Sequence, residues 1–168
     1  MLAELAAANV GLSASVIADH FTLLGALPTG LTLERVCSLV GVSTRDEKIA
    51  LGEAALKIDP KASALRVNND YHGLSVTNLD DAVSPAALFR ATAEHLVEES
   101  ASMVSLIEKF TGQATDVVIA GGWVKNPMIA SAKKKQFGSY KVSDATEAGA
   151  TGAAEFAGIA AGILKLRS

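Results

Sequence analysis

Asp116-Val117-Val118-Ile119-Ala120-Gly121-Gly122-Trp123-Val124-Lys125-Asn126-Pro127 is the stretch on which the fold turns. It opens as a short, almost wholly apolar run, the pattern of a strand covered on both faces. Gly121 and Gly122 close that run, and Asn126-Pro127 opens a helix. The asparagine caps it, and proline at the first helical position lacks only an N–H that would have no partner there. Gly138 stops this helix. Tyr140-Lys141-Val142 is a second short strand, and Glu147 to Leu164 a final helix. Strand, helix, strand, helix at this spacing predicts parallel pairing through a right-handed crossover, and so an α/β arrangement.

Upstream, Ser84-Pro85 gives the same cap-then-proline start to a long helix reaching about Phe110. Phe89, Ala93, Leu96, Ser100, Met103, Ile107 and Phe110 step by four and three along it, and the face they draw is assigned to the core. Leu65, Val67, Tyr71, Leu74 and Val76, broken by Asn68-Asn69-Asp70 and Gly73, predict two short strands. Two helices precede them: one capped by Thr32, running through Val40 and stopped by Gly41, and one from Arg45 to Lys57, ending ahead of Asp59-Pro60. Residues 2–27 are rich in Leu, Ala, Val and Ile, with Pro28 and Gly30 the first strong breakers. They read as one helix, open to interruption near Gly11. The expected organisation is a single domain over 1–168. Its helical segment covers 1–64, and 65–168 carries short strands, a long helix and a β-α-β-α portion. There is no internal repeat and no low-complexity linker.

With 168 residues, 49% of them hydrophobic and 20% charged, the chain has the material for one core. A net charge of −3 argues against a nucleic-acid binder that works by phosphate neutralisation. Cys37 is the only cysteine, so no internal disulfide forms, and nothing around it has metal-ligand spacing. Met1-Leu2-Ala3-Glu4-Leu5 lacks a basic leader and carries an acid where a secretory apolar stretch would begin, which leads to a cytoplasmic expectation. Ala148 to Leu164 is mostly Ala and Gly, contains Glu155 and falls short of the ~20 apolar residues of a membrane span.

Two places could carry chemistry. Glycines at the carboxyl end of a strand, just before a helix, let backbone approach a ligand while the helix amino terminus offers N–H groups; the plainer alternative is a tight turn that binds nothing. The second place is Asp144-Ala145-Thr146-Glu147-Ala148-Gly149-Ala150-Thr151-Gly152-Ala153-Ala154. Glycine inside a helix costs ~1 kcal/mol relative to alanine, so something is expected to approach this backbone closely; Gly149 and Gly152, in the first turns, are the candidates, open between a ligand and helix packing. Ala154, Gly158 and Gly162 lie four apart on one line, which suits packing against a neighbouring element.

Asp116 to Gly122, Lys125-Asn126-Pro127, Glu147 to Ala154 and Ala157-Gly158, in this order and spacing, resemble the carboxy-terminal domain of FGGY-family carbohydrate kinases. The resemblance is strong from about Ser84 to Gly162, weak at Tyr71-His72-Gly73-Leu74 and faint from Met1 to Lys61. It implies a ribonuclease H-like, actin-like ATPase fold, here incomplete and helix-rich with a small sheet. It also implies transfer of the γ-phosphate of ATP, with Mg2+, to a sugar or polyol hydroxyl. Nucleotide-binding positions carried over are Gly121, Gly122 and Asn126, most firmly the last two. Trp123 stands where the family has glycine or another small residue. Its indole could stack on a purine, fill the adenine pocket, or simply pack.

The family's Asp-x-Gly-Thr phosphate loop and catalytic aspartate belong to an amino-terminal domain, and no Gly-Thr pair occurs in this sequence. The resemblance therefore gives this chain no catalytic residue; it implies a partner domain and an isolated chain that does not turn over. A noncatalytic interaction module that keeps the fold is the competing expectation, motivated by Trp123 and the absent loop. A dinucleotide-binding domain is disfavoured because Gly121-Gly122-Trp123 lacks a Gly-x-Gly-x-x-Gly pattern. Surface left by absent strands leads to an expectation of self-association. His20, His72 and His95 have no ligand-like spacing, so no metal site is expected. Lys133-Lys134-Lys135 reads as a solvated face, with Lys133 the candidate for touching a phosphate. Asp80-Asp81 favours the dipole of the helix that follows rather than binding Mg2+.

Overall fold

The computed structural model describes residues 2–15, 19–60, 65–70, 73–79, 83–145 and 147–165. The chain begins with a short helix, α1 (Leu2–Ala7), followed by an antiparallel hairpin of β1 (Val10–Ala14) and β2 (Phe21–Gly25). This corrects the expectation of one helix over 2–27. Asn9 takes a left-handed conformation, φ 56°, and stops α1. Beyond it Val10, Leu12 and Ala14 alternate with Gly11 and Ser13, a period of two that Leu- and Ala-rich composition masks. The pairs Leu12↔Leu23 and Ala14↔Phe21 fix the register. Gly25 leaves the space that the Met103 thioether occupies, so the hairpin lies close to the long helix.

α2 (Thr29–Leu39) and α3 (Arg45–Leu56) follow. Thr32 is not the cap: Pro28 holds that position, and the buried Thr32 hydroxyl lies inside α2, donating to the Pro28 carbonyl at 2.9 Å. Gly41, at φ 76°, ends the segment as its sequence position suggests. α3 starts in a capping box. The Glu47 N–H donates to the Thr44 hydroxyl at 3.3 Å, and the Glu47 carboxylate accepts from the backbone N–H groups of Thr44 (2.8 Å) and Ser43 (3.0 Å). Those bonds hold the Glu47 carboxyl down to about 2 from its ordinary 4.5. The stabilisation is complete above that ordinary value of 4.5 and is lost as pH falls toward the folded value. Denaturant titrations of the native protein and Glu47→Gln are expected to differ at neutral pH and to converge between about pH 5 and 2. A constant difference across that window would contradict this.

β3 (Arg66–Asp70) and β4 (Gly73–Thr77) are the two short strands the sequence predicts, paired as an antiparallel hairpin, but Asn68-Asn69-Asp70 lie within β3 and pair with β4 instead of breaking the strand. Tyr71 and His72, like Asp80 and Asp81, lie outside the described residues. α4 (Pro85–Thr111) opens as expected, with the Ser84 side chain accepting from the Ala87 N–H at 3.1 Å. Only the first part of its predicted stripe is core. Phe89, Ala93 and Leu96 are fully buried, whereas Ser100, Met103, Ile107 and Phe110 are half-buried, because α2, α3 and α5 pack on the amino-terminal half of α4. Arg90 on α4 ties down the carboxyl end of α3, donating to the carbonyls of Ala55 (3.2 Å) and Ile58 (2.7 Å).

The decisive stretch folds as β5 (Val118–Ile119), a 3₁₀ turn over Gly122–Lys125, α5 (Pro127–Phe137) and β6 (Lys141–Val142). β5 and β6 pair in parallel, Val118↔Lys141 and Ile119↔Val142. β5 is not covered on both faces: Ile119 is buried but Val118 is 60% exposed, because this sheet has two strands and little lies over its outer side. α6 (Ala148–Ala160) has no buried residue. The line Ala154, Gly158, Gly162 does not pack on another element. Ala154 is exposed, Gly158 faces the side chain of Leu164 where the chain folds back, and Gly162 lies past the helix at φ 72°. The core is a cluster from four helices, with Leu33, Val36 and Cys37 on α2, Leu51 and Ala55 on α3, Phe89 and Leu96 on α4, and Met128 and Ile129 on α5.

Candidate functional site

The turn after β5 is built around two backbone requirements. Gly121 sits at φ 106°, a conformation that side-chain-bearing residues rarely adopt, and so bends the chain off the strand. Asn126 then starts α5 and is only 4% exposed. Its side-chain oxygen accepts from the N–H groups of Met128 (3.1 Å) and Ile129 (3.4 Å), while its amide donates to the Lys48 carbonyl at 2.7 Å. The amino end of α5 therefore does not present free donors as the sequence suggests: Pro127 has none and the asparagine takes the next two. What faces outward is the Gly121-Gly122 backbone, where an added Cβ at either glycine would meet nothing within 4 Å.

Asn126 also joins two helices. Its carboxamide occupies the space beside Gly52 on α3, where an added Cβ would lie 2.7 Å from the amide nitrogen. The α3 backbone at Lys48 is thus pinned to the turn. Trp123 projects from the turn among three helices. Its ring lies 6.0 Å from that of the buried Phe89, 3.9 Å separates its edge from a Cβ placed at Gly30, and the Lys48 ammonium stands 5.7 Å above it. That ammonium also pairs with the Glu34 carboxylate at 2.7 Å.

These groups open onto a cleft of about 580 Å³. All four sequence-assigned residues Gly121, Gly122, Trp123 and Asn126 line it. So do Glu34, Arg45, Lys48 and Ile49 from α2 and α3, and the segment after β6 including Asp144 and Glu147. The α2 and α3 residues were missed because they belong to the part of the sequence with the faintest resemblance. Arg45 and Lys48, three apart on one helix face, are the only local sign. Gly149 and Gly152 are not among the lining residues, and a Cβ at either would meet nothing within 4 Å. Lys133 does not line the cleft either. It is half-buried on α5, and burial lowers the pKa of its ammonium. Burial pushes the Cys37 thiol up. His95 faces Glu99 one turn on at 3.6 Å, and His72 lies outside the described residues. Among the described residues no three His, Cys, Asp or Glu side chains are grouped to hold a metal, and no helix is long and apolar enough to cross a membrane.

The fold is that of one portion of carbohydrate kinases. It is similar to xylulose kinase from Rhodospirillum rubrum, at TM-score 0.62 and 15% identity over 75% of this chain and 28% of that one. Xylulose kinase from Bifidobacterium adolescentis matches at 0.58 and 21%, over 79% and 28%. Plasmodium falciparum glycerol kinase, solved with ADP, matches at 0.68 and 14%, over 94% and 34%. The chain thus spans about a third or less of the length of each of these kinases. No protein-family model matches the sequence, and no curated protein matches it.

Proposed function

We propose that this chain is the nucleotide-binding, carboxy-terminal portion of an ATP-dependent sugar or polyol kinase of the FGGY type, with a ribonuclease H-like, actin-like ATPase fold. The observation that carries this reading is the convergence of Gly121, Gly122, Trp123 and Asn126 on one cleft, at the carboxyl end of β5. One of the structurally similar kinases was solved with ADP. A flat indole, an exposed glycine backbone and about 580 Å³ of space fit a nucleoside. In this reading Mg2+ arrives with the phosphates, as this ion commonly does, since among the described residues no three His, Cys, Asp or Glu side chains are grouped to hold it.

Phosphoryl transfer rests on positioning and charge stabilisation. The division of labour follows: this chain holds and orients the nucleoside, while phosphate loops, the base and most substrate contacts come from an amino-terminal domain. Alone it binds nucleotide without turnover. A cytoplasmic setting and self-association through exposed apolar residues such as Val118, Val142 and Ile163 belong to the same proposal. Light scattering across a concentration series reads the latter, and a strict monomer would remove it.

Calorimetric titration with ADP is expected to give saturable binding; no binding at millimolar ADP would overturn the reading. A second reading, a noncatalytic interaction module, is favoured by one observation: the indole is already seated against Phe89 and covered by Lys48. Trp123→Gly separates the two. Weaker ADP binding supports the indole as a nucleotide contact, and stronger binding shows that it obstructs the pocket.

A further inference from the structure

α3 received no functional assignment from its sequence, yet it supplies one wall of the cleft, and the position of Lys48 on that wall is unusually well fixed. Its carbonyl takes the Asn126 amide bond at 2.7 Å, and Gly52, one turn on, leaves room for the carboxamide that makes it. The helix cannot slide away from the Gly121-Gly122 turn without breaking that joint. From this anchored backbone a four-carbon stem carries three donors to the cleft, over the Trp123 ring.

The ammonium's present partner is replaceable. Glu34 is half exposed, with 51% of its side chain accessible, and an ion pair of that kind is weak enough to be exchanged for another anion. The surroundings favour one direction of exchange. Arg45 lines the cleft one turn before Lys48, whereas the segment after β6 brings Asp144 and Glu147, whose charges repel a phosphate. An anionic group entering the cleft is therefore drawn to the α3 side.

We propose that Lys48 is the specificity-determining residue of the cleft, selecting a nucleoside phosphate over the bare nucleoside by leaving Glu34 for a phosphate oxygen. This rests on the nucleotide reading given above. Calorimetry with ADP and with adenosine, on the native protein, Lys48→Met and Glu34→Gln, tests it. The native protein is expected to bind ADP more tightly than adenosine. Lys48→Met should weaken ADP binding about tenfold and leave adenosine within about twofold, the loss of one charge-assisted bond. Glu34→Gln, which removes the competing carboxylate, should strengthen ADP binding. A purely structural lysine would not produce these opposite signs. Equal native affinity for ADP and adenosine, an equal loss of both in Lys48→Met, or no change in either would overturn the proposal and leave the nucleotide reading standing. A native protein that binds neither overturns the nucleotide reading and this proposal with it.

Discussion

Gly52→Ala is expected to destabilise the protein by about 1–3 kcal/mol, although alanine normally improves a helix. The added methyl would run into the Asn126 carboxamide, which is held by bonds to Met128, Ile129 and the Lys48 carbonyl and cannot swing aside without losing them. Asn126→Ala alone is expected to cost ~2–3 kcal/mol, from a lost helix cap and a lost inter-helix bond at a buried position. The two changes are coupled. With the carboxamide gone, Gly52→Ala meets no obstacle and should instead stabilise by up to ~1 kcal/mol. Chemical denaturation of the four proteins in this cycle measures it. A Gly52→Ala effect of the same sign in both backgrounds would show that the joint between α3 and the turn is not as described.

Phe89→Ala is expected to cost ~3–5 kcal/mol, since Phe89 is fully buried between helices and no neighbouring chain can fill the space without moving the core. Its second consequence reaches the cleft. Trp123 leans on that ring, so truncation should loosen the indole and shift its emission to longer wavelength while the protein remains folded. Denaturation midpoints together with emission spectra read both effects. A loss below ~1 kcal/mol with unchanged emission would place Phe89 outside the core.

Local chemistry made much of this molecule legible. Asn126-Pro127 and Ser84-Pro85 announced two helix starts through capping alone, and the apolar run before Gly121 announced the strand. The parallel pairing of β5 with β6 followed from their spacing. Local rules failed where a distant partner decides. The alternation at Val10, Leu12 and Ala14 was hidden by residues equally at home in a helix, and only pairing with β2 selects the strand. The stripe on α4 has a continuous period, but its burial depends on where α2, α3 and α5 stop. The cleft divides in the same way. Its turn is contiguous in sequence and could be assigned by spacing, whereas Lys48 reaches it from α3, which Asn126 and Gly52 lock in place, and Glu34 reaches it from α2, where it pairs with Lys48. The role of Asn126 could be seen as a cap but not as a joint, since its second partner lies 78 residues away in sequence.

The most direct measurement is the fluorescence of Trp123, the only tryptophan in the chain, during titration with ADP. A saturable change is expected, abolished by Trp123→Phe and following the calorimetric isotherm, because nucleotide enters beside the indole. A flat signal, with calorimetry silent as well, would contradict the claim that the cleft beside Gly121 and Gly122 is a nucleotide site.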